Sequence, residues 1–321
     1  MKTTGKDEAA PLAMIAGGGG FLGSALARIY LELGWRVVTL GLGAPTGTTG
    51  QRVVHHEGLI SRDLLTSASR SSGKPDLVIH AAGGASVGRS WEDRRGDFEL
   101  SVASTADILD FLRQDGNGAT FVLVSSAAVY GNQAKLRLDE TDPAIPVSPY
   151  GLHKHICEQM VMGEARMSGA AAAIVRLFSI YGEGLRKQIL WDTLSRLQAD
   201  HNSPLELWGH GKETRDFLHV EDASDLIRRA AEAAKPGETR IYNGASGRPI
   251  TIRELATQLM DVAGYGTELK FSGRTRQGDP EHLCANPARS FTELGFRPRI
   301  ELTGGLKRYV DWFIRESGTK T

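Results

Sequence analysis

The stretch Leu12-Ala-Met-Ile-Ala-Gly-Gly-Gly-Gly-Phe-Leu-Gly23 decides the reading. Its five leading apolar residues have the length and continuity of a strand buried on both faces. Four glycines follow, and Gly17, Gly20 and Gly23 spell G-x-x-G-x-x-G. Leu22, Leu26, Ile29 and Leu33 then share one helical face, and Gly34 is a natural stop. Strand, glycine turn and helix, in that order, are the setting in which a glycine triplet cradles a pyrophosphate. The turn needs φ > 0, the backbone must approach the phosphates, and the last glycine lets helix and strand pack. The helix N-terminus adds unpaired N–H groups and a partial positive charge. Gly17, Gly20, Phe21, Leu22 and Gly23 are therefore the first cofactor-binding candidates.

Working outward, residues 36–40, 76–80, 120–124 and 173–177 read as further buried strands, with helical windows near 97–114 and 149–168. Such alternation predicts a Rossmann-type, doubly wound parallel sheet over residues 12–178, preceded by a flexible tail, 1–11. After residue 178 the rhythm changes. Helical windows near 187–199, 221–234, 251–263 and 303–315 are separated by short strands and Gly/Arg-rich loops. That predicts a smaller C-terminal α+β domain, 179–321, over the carboxyl edge of the sheet. A strand at 239–243 is expected to return to the first sheet.

Composition bounds the function. At about 150 residues per domain, the 321-residue chain holds two domains or one large α/β unit. With 40% hydrophobic, 24% charged and 7% aromatic residues, it is not disordered, fibrous or a disulfide scaffold. Lys+Arg and Asp+Glu both number 38, so net charge gives no reason to bind nucleic acid or an anionic membrane. No apolar run approaches the roughly 20 residues of a membrane helix. Cys157 and Cys284 belong to no Cys-x-x-Cys or Cys/His cluster and read as reduced, buried thiols. The N-terminus has no signal-type apolar segment. A soluble, cytoplasmic protein is expected, with no metal site.

Where the second strand ends, a carboxylate would hold the adenosine ribose of NAD. Here Leu40 is followed by Gly41-Leu-Gly-Ala-Pro-Thr46. The missing acid favours NADP over NAD, with Thr46, Thr48, Thr49 and Arg52 as candidates for the 2′-phosphate.

Tyr150-Gly-Leu-His-Lys154 is Y-x-x-x-K, preceded by Ser148-Pro149 as N-cap and first-turn proline. Tyr150 and Lys154 thus share a helix face, and an ammonium one turn from a phenol stabilises the phenolate. Such a tyrosine exchanges a proton with a sugar oxygen while a nicotinamide exchanges a hydride. The strand at 120–124 runs into Ser125-Ser-Ala-Ala-Val-Tyr-Gly131. Ser126, at its carboxyl end, can bond the same oxygen. His153 and His155 flank Lys154 and read as structural, and the five tryptophans as packing residues.

With these motifs in hand, the chain resembles the extended short-chain dehydrogenase/reductases, specifically the NAD(P)-dependent nucleotide-sugar epimerase/dehydratase family, over nearly its whole length. Gly17 to Gly23 is similar to the family's cofactor loop, and His80-Ala81-Ala82 to its turn beside the cofactor. Ser125 to Gly131 is similar to S-S-x-x-V-Y-G, which implies that Ser126 is catalytic with Tyr150 and Lys154. Arg176-Leu-Phe-Ser-Ile-Tyr-Gly182 is similar to R-x-x-N-x-Y-G, with Ser179 in place of asparagine at the substrate. Gly209 to Phe217 is similar to G-x-G-x-x-x-R-D-F, continued by His219-Val-Glu-Asp222. Arg276-Gln-Gly-Asp279 is similar to R-x-G-D. The resemblance implies that Arg215 and Arg276 reach the sugar diphosphate, a bidentate task suited to guanidinium. Gly41 replaces the acid of NAD-preferring members. In His56-Glu-Gly-Leu59-Ile60, Leu59 stands where many members place an aspartate at the adenine.

The family carries out 4-epimerisation, 4,6-dehydration, decarboxylation and 4-keto reduction. Its dehydratases place Asp-Glu directly after the catalytic hydroxyl; here Ala127-Ala128 stands there, which argues against dehydration. The expectation leans to a 4-keto (6-deoxy) sugar nucleotide reductase, followed by a 4-epimerase with tightly bound NAD. A non-catalytic NAD(P)-binding sensor or scaffold is the alternative of another class. A homodimer built through the helices near 97–114 and 149–168 is implied by the resemblance alone.

Overall fold

The computed structural model describes residues 10–48, 53–84, 86–274, 278 and 280–318. Thr49, Arg52 and Arg276 lie outside the described residues. Within them the apolar runs of the first half become strands: β1 (Leu12–Ala16), β2 (Arg36–Gly41), β3 (Val53–Glu57), β4 (Leu77–His80), β5 (Thr120–Ser126) and β6 (Ala172–Leu177). Seven further short strands follow. They are β7 (Ser179–Tyr181), β8 (Leu205–Leu207), β9 (Thr214–His219), β10 (Thr239–Gly244), β11 (Pro249–Thr251), β12 (Leu269–Phe271) and β13 (His282–Leu283). The large sheet has the order β10-β6-β5-β4-β1-β2-β3, parallel throughout. Its order reverses between β1 and β4, which opens a crevice at their carboxyl ends. Near-complete burial of β1, β4 and β6 explains their mainly apolar sequences, interrupted only by His80 and Arg176.

Eleven α-helices cover these strands among the described residues: α1 (Phe21–Glu32), α2 (Arg62–Ser72), α3 (Val87–Glu92), α4 (Arg94–Phe98), α5 (Ser104–Gln114), α6 (Pro149–Ser168), α7 (Gln188–Ala199), α8 (Val220–Ala233), α9 (Ile252–Ala263), α10 (Ala288–Glu293) and α11 (Leu302–Ser317). Alternate residues of the strands supply two cores. Ala13, Ile15 and Val37 pack with α1 and α8 on one face; Met14, Val38 and Leu40 pack with α2, α5 and α6 on the other. The second part of the chain has its own core of Tyr181, Leu190, Leu194, Leu255, Leu306, Tyr309 and Phe313. Phe21 touches both this core and that of α1 and α8. In this part β7, β11 and β13 gather around β9. No described helix is long and apolar enough to cross a membrane.

The helix expected over 97–114 is interrupted. Between α4 and α5, residues Glu99–Ala103 form a π turn. The Ser101 carbonyl there accepts side-chain bonds from Ser104 Oγ at 3.1 Å, Thr105 Oγ1 at 2.7 Å and Cys157 Sγ at 3.3 Å. These donors supplement the regular backbone ladder and make the wider turn tolerable.

Candidate functional site

The chain leaves β1 through Gly17, at φ +87°. The amides of Gly17 and Gly18 donate to the Leu40 carbonyl at 2.7 and 3.2 Å, tying the turn to β2. Side chains have no room here. A Cβ would stand 2.5 Å from Ala82 N at Gly17, 2.3 Å from Thr39 Cβ at Gly18, 1.9 Å from Gly43 O at Gly19 and 2.0 Å from Gly17 O at Gly23. Gly20 is looser, at 3.2 Å from Gly17 O, and serves as the N-cap of α1. That cap makes no side-chain bond, and the first turn, opened by Phe21 and Leu22, carries no acid. Its amides therefore suit an anion. The glycine triplet signalled the turn; the close packing of Gly18 and Gly19 depends on Thr39 and Gly43, which the motif does not mention.

Around the loop, Gly41 takes φ +141° where a Cβ would stand 3.4 Å from Gly17 Cα. A residue with a carboxylate side chain would be strained there. Leu59 is 63% exposed just past β3, and Ile60 packs into the core beneath. His80 is buried with Nε2 3.1 Å from Ser104 Oγ. Burial, reinforced by the Lys154 charge, pushes its imidazole down to about 3, so it is neutral. Ala81 and Ala82 then carry the chain across Gly17.

The other wall comes from β5 and α6. Ser126 ends β5, and its Oγ accepts the Ala128 amide at 3.2 Å, which leaves its O–H free to donate. Ala128 faces α6 closely enough that a Cβ at Gly151 would stand 2.4 Å from its carbonyl oxygen. Ser148 caps α6 through the Gly151 amide at 3.1 Å, Pro149 follows, and the Tyr150 amide donates to Ser90 Oγ of α3 at 3.1 Å. One turn on, Lys154 is 5% exposed and donates to the Val124 carbonyl of β5 at 3.1 Å. Ser126, Tyr150 and Lys154 thus sit on adjoining segments at the crevice.

Behind them lies a buried ion pair. Arg176 Nε and Nη2 bond Glu158 at 2.9 and 2.7 Å, and Ser125 Oγ donates to the same carboxylate at 2.6 Å. Burial opposes ionisation of Glu158, but His155 at 3.7 Å, Arg176 and Ser125 together hold its carboxyl below the usual range. The Arg176 guanidinium also lies 4.7 Å from the Tyr130 ring centroid, and Tyr130 donates to Asn243 Oδ1 of β10 at 2.7 Å. Neither Glu158 nor Asn243 was singled out by motif; only their partners were.

In the second part, Ser179 pairs with Phe217 across β7 and β9, and Arg215 lies two residues earlier on β9 with its Nη1 2.8 Å from the Thr214 carbonyl. Asp216 is structural: it accepts the amides of Ser246 at 2.8 Å and Gly247 at 2.9 Å. A Cβ on Gly278 would stand 3.3 Å from Trp91 Nε1 and 3.4 Å from Ser148 Cβ, so Gly278 lies against the start of α6. Among the described residues no group of three or more His, Cys, Asp or Glu could hold a metal ion, and Cys157 and Cys284 are buried. The side-chain-free cradle, the uncapped helix start and the neutral His80 fit a dinucleotide, which would rest on Gly17 to Gly23.

Comparison with known proteins identifies the family. The chain is 26% identical to the UDP-glucose 4-epimerase of Rhizobium leguminosarum bv. trifolii, covering 95% of this chain and 98% of that one. It is 29% identical to the dTDP-glucose 4,6-dehydratase of Streptomyces antibioticus over 74% of this chain and 70% of that one. The solved Bacillus cereus UDP-glucuronic acid 4-epimerase, in complex with UDP-glucuronic acid and NAD, shares the fold with a TM-score of 0.84 at 23% identity, covering 95% of this chain and 99% of that one. Residues 13–245 match the family described as the NAD dependent epimerase/dehydratase family. That match, over more than half of the chain and on a parallel sheet with a glycine-loop turn, makes the chain a member of the NAD-dependent epimerase/dehydratase family, an enzyme of the extended short-chain dehydrogenase/reductase type.

Proposed function

We propose that the protein is a nucleotide-diphosphate-sugar 4-epimerase that keeps NAD bound. The observation that carries this reading is the grouping of Ser126, Tyr150 and Lys154 beside the glycine loop, with only Ala127 and Ala128 after Ser126. The site has proton-transfer groups for one sugar carbon, and Ala127 and Ala128 offer no acid–base pair for eliminating water. The relatives named above as 4-epimerases lend it support.

When bound, the nicotinamide supplies hydride acceptance and return at C4. The chain does the rest. Tyr150 takes the proton from the C4 oxygen and gives it back. Ser126 donates a hydrogen bond to that oxygen and steadies its developing charge. Lys154, held by Val124 one turn from Tyr150, holds the nicotinamide ribose. Arg215 and Arg276 bind the diphosphate, with Ser179 beside it. Leu59, Ile60 and Gly41 border the adenosine.

Gly41 favours a second reading, a 4-keto (6-deoxy) sugar nucleotide reductase using NADP, because no carboxylate ends β2. One experiment separates the two. The purified protein is denatured and its released nucleotides are identified by mass spectrometry, and the native protein is incubated with UDP-glucose. Retained NAD with conversion to the C4 epimer and no net reduction supports the epimerase. NADP, or NADPH consumed mole for mole with a 4-keto sugar nucleotide, supports the reductase. Bound dinucleotide without turnover of any sugar nucleotide would favour a sensor. A homodimer through α5 and α6 is part of the proposal, and light scattering of the eluted protein tests it.

A further inference from the structure

We propose that Asp97 and His153 are a positioning pair that holds the Gly83–Gly84 turn, and through it Lys154, in working register. The inference rests on the reading of Lys154 given above. His153 immediately precedes Lys154 on α6, and its Nδ1 lies 2.5 Å from Asp97 Oδ2. Both are buried, at 8% and 5% exposure, and Phe98 closes the outside with its ring edge-on to His153 at 5.6 Å. A buried carboxylate holding an imidazole in this way fixes two helices relative to each other.

The other oxygen of Asp97 points to the chemistry. A Cβ on Gly84 would stand 1.7 Å from Asp97 Oδ1, so the turn after β4 rests directly on the carboxylate. The same turn is held from the π turn by Ser101, whose Oγ accepts the Gly84 amide at 3.1 Å. A Cβ on the adjoining Gly83 would stand 3.0 Å from Ser101 Oγ and 3.2 Å from Lys154 Nζ. Lys154 is thus backed by Gly83, Gly83 is continuous with Gly84, Gly84 rests on Asp97, and Asp97 is bonded to the residue before Lys154. This closed circuit fixes the ammonium from both its backbone and its tip. The turn it fixes follows His80, Ala81 and Ala82, which border the cofactor crevice. The π turn contributes by placing Asp97 and Ser101 on the same turn of chain.

The test compares the parent with Asp97→Ala, Asp97→Asn and Gly84→Ala. Asparagine keeps the shape and an acceptor for His153; alanine at either position removes the rest between turn and carboxylate. For Asp97→Ala and Gly84→Ala, kcat on UDP-glucose should fall by roughly 30-fold with KM little changed, as expected for a small misplacement of a catalytic group. Asp97→Asn should restore most of it. The double variant Asp97→Ala, Gly84→Ala should be no worse than either alone, because both break one circuit. Independently of turnover, hydrogen exchange at the Gly84 amide should quicken about tenfold in Asp97→Ala while the core amides of β1 stay as protected as in the parent. Unchanged kcat and unchanged Gly84 exchange in a folded Asp97→Ala protein would overturn the proposal, as would additive losses in the double variant. If the parent turns over no sugar nucleotide, the reading of the reaction fails, and the exchange measurement still decides this one.

Discussion

The proton-transfer role proposed for Tyr150 rests on a hydroxyl that Ser148, Pro149 and Ser90 place by fixing the first turn of α6. Tyr150→Phe keeps the ring and removes the proton. Turnover should fall by at least about 10²-fold, while titration of the nucleotide-stripped protein with NAD, followed by its tryptophan fluorescence, should show unaltered binding. Gly23→Ala has the opposite expected signature. Its Cβ would strike the Gly17 carbonyl at 2.0 Å, so α1 cannot pack against the turn. Dinucleotide binding by the same titration should weaken by more than about tenfold, with turnover lost in parallel. These residues were legible because residue type and spacing carry the chemistry: a triplet of glycines, a serine at a strand end, a tyrosine four before a lysine. Asp97 was not legible. Its partner is His153, 56 positions away, and no local pattern marks an aspartate as the acceptor for a distant imidazole.

At the scale of elements, short and mainly apolar runs identified β1, β4, β5 and β6, because a strand buried on both faces has little room for polar residues. β3 escaped the same reading. Its sequence Val-Val-His-His-Glu lies at the sheet edge, half-exposed, and has neither continuity nor alternation. α2 is rich in serine and buries only Leu65 and Ala68, too few for a clear period. The π turn was invisible because its cause is the side chains of Ser104, Thr105 and Cys157 converging on one carbonyl. Two predictions belong here. Glu158→Ala leaves the Arg176 guanidinium buried between β6 and α6 without its carboxylate, and should cost about 3–5 kcal/mol, read from denaturant unfolding. His80 at the end of β4 is neutral in the fold, its imidazole pushed down from 6.5 to about 3. The unfolded chain therefore takes up a proton first. The stability this histidine contributes is complete above about pH 6.5 and drains away as pH falls toward about 3. Melts of His80→Asn should lack that part of the slope between about pH 6.5 and about pH 5.

For the molecule as a whole, the loop after β7 joins the two parts. Glu183 Oε2 lies 3.0 Å from His219 Nε2 at the start of α8, and its Oε1 accepts Arg308 Nε of α11 at 2.7 Å. Burial opposes its ionisation, but these partners bring the Glu183 carboxyl down to about 2 from an ordinary 4.5. The stability it contributes is therefore whole above about pH 4.5 and lost as pH falls through about 2. Glu183→Gln should flatten the loss of melting temperature on acidification between about pH 5 and about pH 3. Alternating strands and helices made the parallel sheet foreseeable, but the ties between its parts were not. Phe21 looked like a loop residue of the cofactor motif, and only the packed chain shows it wedged between two cores.

The place of β10 bears on how such a chain is made. Beside β6, the margin of the large sheet is occupied by residues 239–244, after the polypeptide has left to build β7, β8 and β9. During synthesis β6 emerges with that side bare, and some sixty residues must be translated before its neighbour arrives. A nascent chain stalled near residue 230, with β6 just outside the exit tunnel, would present an apolar, unpaired border to any other strand nearby. Halting translation there should produce aggregates that disappear once residue 244 has cleared the ribosome.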